Sequence, residues 1–199
     1  MTPALMEPMV ALLAGWCSGI SIYLTVALLG ISGRMGWMEL PGDLNALTNP
    51  LIIGLAILLF VVEFVADKVP YVDSAWDSVH TFIRPLGAAS LGALAGVDQG
   101  PVSQMLYALL TGTVALNMHA VKATARLAIN TSPEPFSNIF ASLSENAAVF
   151  FMFWFFIKHP VLAVLLIMLL LVLSFFFLRM MWRFVRKLFH QTPKPAVSS

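Results

Sequence analysis

The chain has 199 residues, 59% of them hydrophobic and 11% charged, where soluble domains carry roughly 45–50% and 25%. A soluble fold of this size exposes too much surface to hide that much apolar side chain, so the composition excludes an ordinary soluble globule and makes a bilayer the expected solvent. A net charge of +1 offers no electrostatic reason for a nucleic-acid partner, and a single cysteine, Cys17, excludes an internal disulfide and a cysteine-built metal site.

Residues 1–8 carry no lysine or arginine, which a secretory leader needs before its apolar run. The first apolar stretch, 9–32, therefore reads as one retained helix, long enough to cross roughly 30 Å of hydrocarbon. Gly15 and Gly19 within it are four apart, the spacing that lets a second backbone approach closely. Residues 33–50, with Gly, Pro, Asn and Asp, read as a loop. A second apolar stretch, 51–68, ends before Pro70.

The segment 72–84 is amphipathic. Val72, Trp76, Val79 and Ile83 share one helical face, and Asp73, Asp77, His80 and Arg84 share another. Pro85 is expected to break or kink that helix. Residues 86–97 are short and rich in Gly and Ala, so 72–97 is expected to be a broken crossing or a re-entrant segment. The stretches 102–127, 136–157 and 161–178 are further spans, the last two joined by a turn at Lys158-His159-Pro160. Arg179, Arg183, Arg186 and Lys187 follow the last span. Basic residues at a membrane end stay cytoplasmic, which places the C-terminus inside. Six crossings counted back would place the N-terminus inside too. Residues 190–199 are expected to be a disordered cytoplasmic tail.

The expected fold is thus all-α, a polytopic transmembrane bundle of about six segments forming one domain over 1–189. Its halves, 9–98 and 102–187, echo each other. Gly33-Arg34 and Pro41 align with Ala125-Arg126 and Pro133, and Lys68-Val69-Pro70 with Lys158-His159-Pro160. Three segments per half would make the repeat inverted, an arrangement found in transporters.

Ionisable groups inside apolar segments carry the functional information, since each costs on the order of 2.5–3.5 kcal/mol at mid-bilayer. One group comprises Glu63, Asp67, Lys68, Asp73, Asp77, His80 and Arg84. A second, His119, Lys122 and Arg126, lies on one face of the 102–127 helix, with Asn130, Glu134 and Asn138 in the loop beyond and Glu145 in the next span. Facing stripes of four acids and four bases would form a polar core in which pairing offsets desolvation. Plainer readings stand beside this one. Asp67 and Lys68 would mark the headgroup region, Lys122 and Arg126 would be snorkelling cytoplasmic anchors, Trp76 an interfacial anchor, and the phenylalanines of 150–156 lipid-facing or packing residues. His80 with Asp73 and Asp77 offers oxygen and imidazole ligands to a metal, at no diagnostic spacing. Ser74 or Ser78 beside His80 is a weak nucleophile–base pairing. No GxSxG, HExxH, phosphate-loop or dinucleotide motif is present, and no cofactor is expected.

The string Glu63-Phe-Val-Ala-Asp-Lys-Val-Pro70 followed by Val72-Asp-Ser-Ala-Trp-Asp-Ser-Val-His-Thr-Phe-Ile-Arg-Pro85, and the pattern His119, Lys122, Arg126, Asn130-Thr-Ser-Pro-Glu134, Asn138, resemble the bacterial integral-membrane family catalogued as domain of unknown function 4126. Ser18, Gly19, Ser21 and Tyr23 fit the same pattern, with Ile22 where the family pattern has asparagine. The resemblance spans about residues 12–178. It implies a multi-pass protein of the bacterial inner membrane and no particular activity.

The leading expectation is a small transporter or permease. Membrane lipid surrounds it, and a small anionic solute or lipid phosphate would meet Arg84, Lys122 and Arg126 while Glu63 or Asp67 carries a coupling proton. The alternatives are a membrane-embedded, metal-dependent enzyme using Asp73, Asp77 and His80, and a non-catalytic scaffold. A homo-oligomer is compatible with each.

Overall fold

The computed structural model describes residues 3–130 and 135–189. Glu134, the rest of 131–134, the Lys187 side chain and the expected tail 190–199 lie outside the described residues. Seven α-helices follow one another: α1 Pro3–Ile20, α2 Ile22–Arg34, α3 Pro50–Ala66, α4 Pro70–Ala95, α5 Pro101–Asn130, α6 Pro135–Lys158 and α7 Pro160–Phe189. Short 3₁₀ turns at Gly42–Thr48 and Val97–Gln99 precede α3 and α5, and no strand occurs among the described residues. Six of the helices open on proline, whose missing N–H costs nothing in a first turn. In α6 and α7, Phe136–Lys158 and Pro160–Phe184 are long and apolar enough to cross a membrane, and Gly42–Thr48 with α3, bent by 75°, makes a third such unit.

Contacts between the helices fix the path of the chain. Glu7, Gly42, Asp98 and Pro160 line one cavity and so define one end of the bundle. Arg126 donates to the carbonyls of Asp67 and Asn138, and Asn130 donates to Asp73, which defines the other end. Helices α3 to α7 each run from one end to the other in alternating directions. Helices α1 and α2 do not. α1 starts beside Glu7 at the first end and penetrates until the Ile20 carbonyl meets Lys122 Nζ at 3.4 Å. α2 then returns the chain to Gly42, where it started. The pair is a helical hairpin with Ser21 at its tip.

This corrects the reading of 9–32 as one span. Ser21 is in extended conformation (φ −150°, ψ 106°) and caps α2 by accepting from Leu24 N–H. Breaking a helix deep in a bundle exposes backbone groups that must find partners, and here Ser21 and Lys122 supply them. The break expected within 72–97 does not occur, since α4 is continuous through Pro85. Proline removes one internal hydrogen bond, but α4 packs more extensively on α5 than any other helix pair packs. Its small residues allow that fit: a Cβ on Gly92 would collide with the Tyr107 carbonyl, and one on Gly112 would lie 3.1 Å from the Pro85 carbonyl.

The starts of α1 and α7 meet at one cavity, lined by Glu7 and Pro160. The helices do not by themselves confirm the expected inverted repeat. α1 runs parallel to α5, with Gly15 against Thr111 and Gly19 against Ala115 and Met118, whereas inverted copies would run antiparallel. Those two glycines do bring backbones together as their spacing expects: a Cβ on Gly19 would sit 2.6 Å from the Ala115 carbonyl oxygen.

The hairpin occupies the centre. Residues 10–20 of α1 are all buried, and Val10, Leu13, Cys17, Phe153, Phe156 and Ile167 belong to the apolar core around it. The outer surface is apolar as well. In α3 only Ala56, Glu63 and Ala66 are buried, while Leu51, Leu55, Leu58 and Val65 are exposed. In α4 the face of Val72, Val79 and Ile83 points outward, and Asp73, Asp77, His80 and Arg84 point in. An amphipathic helix in water has the opposite sense.

Candidate functional site

Nine of the ionisable residues singled out from the sequence (Glu63, Asp67, Asp73, Asp77, Arg84, His119, Lys122, Arg126 and Glu145) lie in one connected cluster, between the hairpin tip and the end defined by Arg126, with His80 beside it. Arg84 of α4 is fully buried and donates from Nη2 to Glu63 of α3 (2.8 Å) and from Nη1 to Asp77 (3.1 Å) and to His119 Nδ1 (2.6 Å). Lys122 of α5 reaches Asp67 (2.8 Å), Glu145 (3.5 Å) and, at 4.0 Å, Asp77. Arg126 engages Glu145 of α6 through Nε (2.9 Å) and Nη2 (2.7 Å), a bidentate fork that fixes geometry as well as charge. Its Nη1 also contacts Asn138 and stands 3.9 Å from Asp73. Asn130 donates to Asp73 and accepts from Asn138 Nδ2, tying α4, α5 and α6 together. Ser21 donates to Glu63 through a short hydrogen bond, so the hairpin tip is joined to the cluster.

The two histidines face different ways. Arginine can only donate, so His119 Nδ1 accepts and its proton sits on Nε2. Nε2–H then points at Thr81 Oγ1 (3.0 Å), which passes its own hydrogen to the Asp77 carbonyl. His80 turns away from Asp73 and Asp77. It bonds the Trp76 carbonyl (2.8 Å) and Tyr23 OH (3.3 Å) and stacks on the Trp76 ring at 4.6 Å. Trp76 thus packs against a core histidine, where an interfacial anchor was expected. Among the described residues no three His, Cys, Asp or Glu side chains are placed to hold a metal ion. Lys68 stands outside the ion-pair network, on the Phe64 carbonyl (2.8 Å) and ring. Lys122 and Arg126 do not snorkel; their side chains are 2% and 1% exposed.

Charge does not balance inside. Within the ion-pair network five carboxylates (Glu63, Asp67, Asp73, Asp77, Glu145) face three permanent cations (Arg84, Lys122, Arg126), an excess of two negative charges that Lys68, acting on Asp67 from the edge of the network, partly offsets. Three carboxylate oxygens are buried with no hydrogen-bond partner among the described residues: Asp67 Oδ1, Asp73 Oδ1 and Asp77 Oδ2. Buried charge without a counter-charge is expensive, and each cation already has two or more acidic neighbours. The arrangement is therefore equipped to take up positive charge and poorly equipped to take up an anion. A cleft of about 180 Å³ between α4 and α5, lined by Ser74, Ser78, Thr81 and Leu127, reaches Asp77 and Arg126 from the side.

Sequence reasoning missed Ser21 and Thr81 as partners of Glu63 and His119, and the Ile20 carbonyl. The Ile20 carbonyl carries no sequence signal, because it becomes available only where the helix breaks. Glu7 was readable as a lone acid at the start of an apolar run, but it lies at the opposite end from the cluster. Ile22, the position with an expected asparagine, packs against Gly87 and takes no polar role.

A family model described as Domain of unknown function (DUF4126) matches residues 9–180. No match was found among curated proteins or among solved structures.

Proposed function

The chain belongs to the Domain of unknown function (DUF4126) family, and from its geometry we propose that it is a multi-pass membrane transporter whose ion-coupling site is the charged cluster at the hairpin tip. The single observation behind this reading is the meeting of an interrupted helical hairpin with a buried cluster that is short of positive charge. Interrupted helices in membrane proteins occur where backbone lines a polar cavity, and in transporters they mark the binding site. A scaffold would gain most from balanced pairs. Two surplus carboxylates instead favour uptake of a proton or another cation, with Asp73 and Asp77, both holding unpaired oxygens, as the acceptors. A cation takes the place of the anionic substrate expected from the basic residues in this reading, since Arg84, Lys122 and Arg126 each already engage two or more acids, although Arg84 Nε is left without a partner among the described residues.

In this reading α3 to α7 make five crossings of the plasma membrane, bacterial as the family resemblance implies. The hairpin enters from outside, and Arg179, Arg183 and Arg186 hold the end of α7 in the cytoplasm. The cluster then sits in the cytoplasmic half, with the α4–α5 cleft as its lateral approach.

Alternating access gives the test. In a Cys17→Ala background, Ser21→Cys should react with membrane-impermeant thiol reagents applied to either face of oriented vesicles. Reaction from one face only, or from neither, would leave the cluster a static brace and remove the transport reading. A pH jump on proteoliposomes should also produce a transient charge displacement that Asp77→Asn abolishes.

A further inference from the structure

We propose that the cavity at the end opposite the cluster is a binding site for a small organic ammonium cation, with Glu7 as its anionic anchor. The site deepens the transport reading by naming a substrate class, but binding to it is measurable without transport.

The cavity holds about 460 Å³ and lies among the start of α1, the segment before the Gly42–Thr48 turn, the α4–α5 connection and the α6–α7 turn. That volume falls within the roughly 300–1,000 Å³ typical of small-molecule sites. Three carboxylates line it, Glu7, Glu39 and Asp98, and among the described residues no lysine or arginine does. Arg34 donates to the Thr48 carbonyl, and Lys158 lines a separate apolar groove beside Trp154.

Glu7 carries the inference. It is 5% exposed, it lines the cavity, and its Oε2 is buried with no hydrogen-bond partner among the described residues. The charged group acting on it is Asp98, another carboxylate. A carboxylate so placed lacks a cation among the described residues. Trp37 and Phe156 line the same space, and aromatic faces attract ammonium groups. A metal ion fits less well: these acids are not close enough together to form a ligand set, and the volume far exceeds what a bare ion fills.

The experiment compares thermal unfolding of the purified full-length protein in tetramethylammonium chloride and in sodium chloride at equal ionic strength, since a ligand of the folded state raises apparent stability in a saturable way. Tetramethylammonium should stabilise the wild type beyond the sodium control. Asp98→Asn should weaken that binding, and Glu7→Gln should weaken it by about tenfold or more, the equivalent of one lost charge contact. Equal stabilisation by both salts, or a tetramethylammonium effect untouched by either substitution, overturns the assignment. If Glu7→Gln does not fold, the exposed Asp98 supplies the readable variant. Two-sided labelling at Ser21 with no ammonium binding would sink this site while leaving the transport reading intact.

Discussion

The two ends of the bundle use the same residue type under opposite rules. At the hairpin tip, five carboxylates sit among three cations, and most of their oxygens are engaged by side chains from several helices. In the cavity at the other end, three carboxylates line one space with no lysine or arginine among the described lining residues. Acids at the tip are structural as well as chemical, because each is bound to a partner that suffers when it goes. Acids in the cavity hold nothing together, so they are there at a cost in stability or for a ligand.

The sharpest way to break this contrast is Arg84→Ala. It strands Glu63 and Asp77 in the interior, and removing one partner of a buried ion pair costs about 3–5 kcal/mol; detergent-solubilised protein should lose its monodisperse elution or much of its unfolding temperature. An unchanged profile would mean that water reaches the cluster freely. Gly19→Val comes next, since the added side chain meets Met118 and the Ala115 carbonyl. Overpacking of this kind costs about 1–3 kcal/mol and should separate the hairpin from α5, seen as faster hydrogen exchange over 10–20. Ser21→Ala leaves one Glu63 oxygen without its donor, and hydrogen bonds to charged groups contribute about 1.5–3 kcal/mol. Its unfolding temperature should fall less than that of Arg84→Ala but measurably. The smallest effect belongs to the other end: Asp98→Asn, exposed and beside another acid, should leave the ligand-free melting temperature unchanged or slightly higher. A clear drop there would show that the cavity acids are structural after all, and the contrast between the ends would disappear.

The hairpin itself was hidden from the sequence. Residues 9–32 have the length and apolarity of a single crossing, and hydropathy averages over a break that one extended residue creates. Ser21 was visible as a small polar residue between two apolar runs, but its capping and its bond to Glu63, 42 positions away, are long-range facts. Pro85 misled in the other direction. Its local preference argues for a break, and packing against α5 overrode it. The charged cluster was easier to read: Asp73, Asp77, His80 and Arg84 announce a shared face by spacing alone, as do His119, Lys122 and Arg126.

From the chain alone came the helical class, the bilayer as solvent, the family, and the list of ionisable residues too costly to place in oil without a reason. All of these follow from composition and from periods of three to four residues, which are local properties. Tertiary structure alone decided which segment breaks, which acid meets which base, and where carboxylates are left over. Those outcomes depend on helix direction and on the few ångströms between side chains far apart in the chain. Two acids of identical chemistry, Glu63 and Glu7, differ only in whether an arginine arrives beside them, and nothing within a helical turn of either one specifies that.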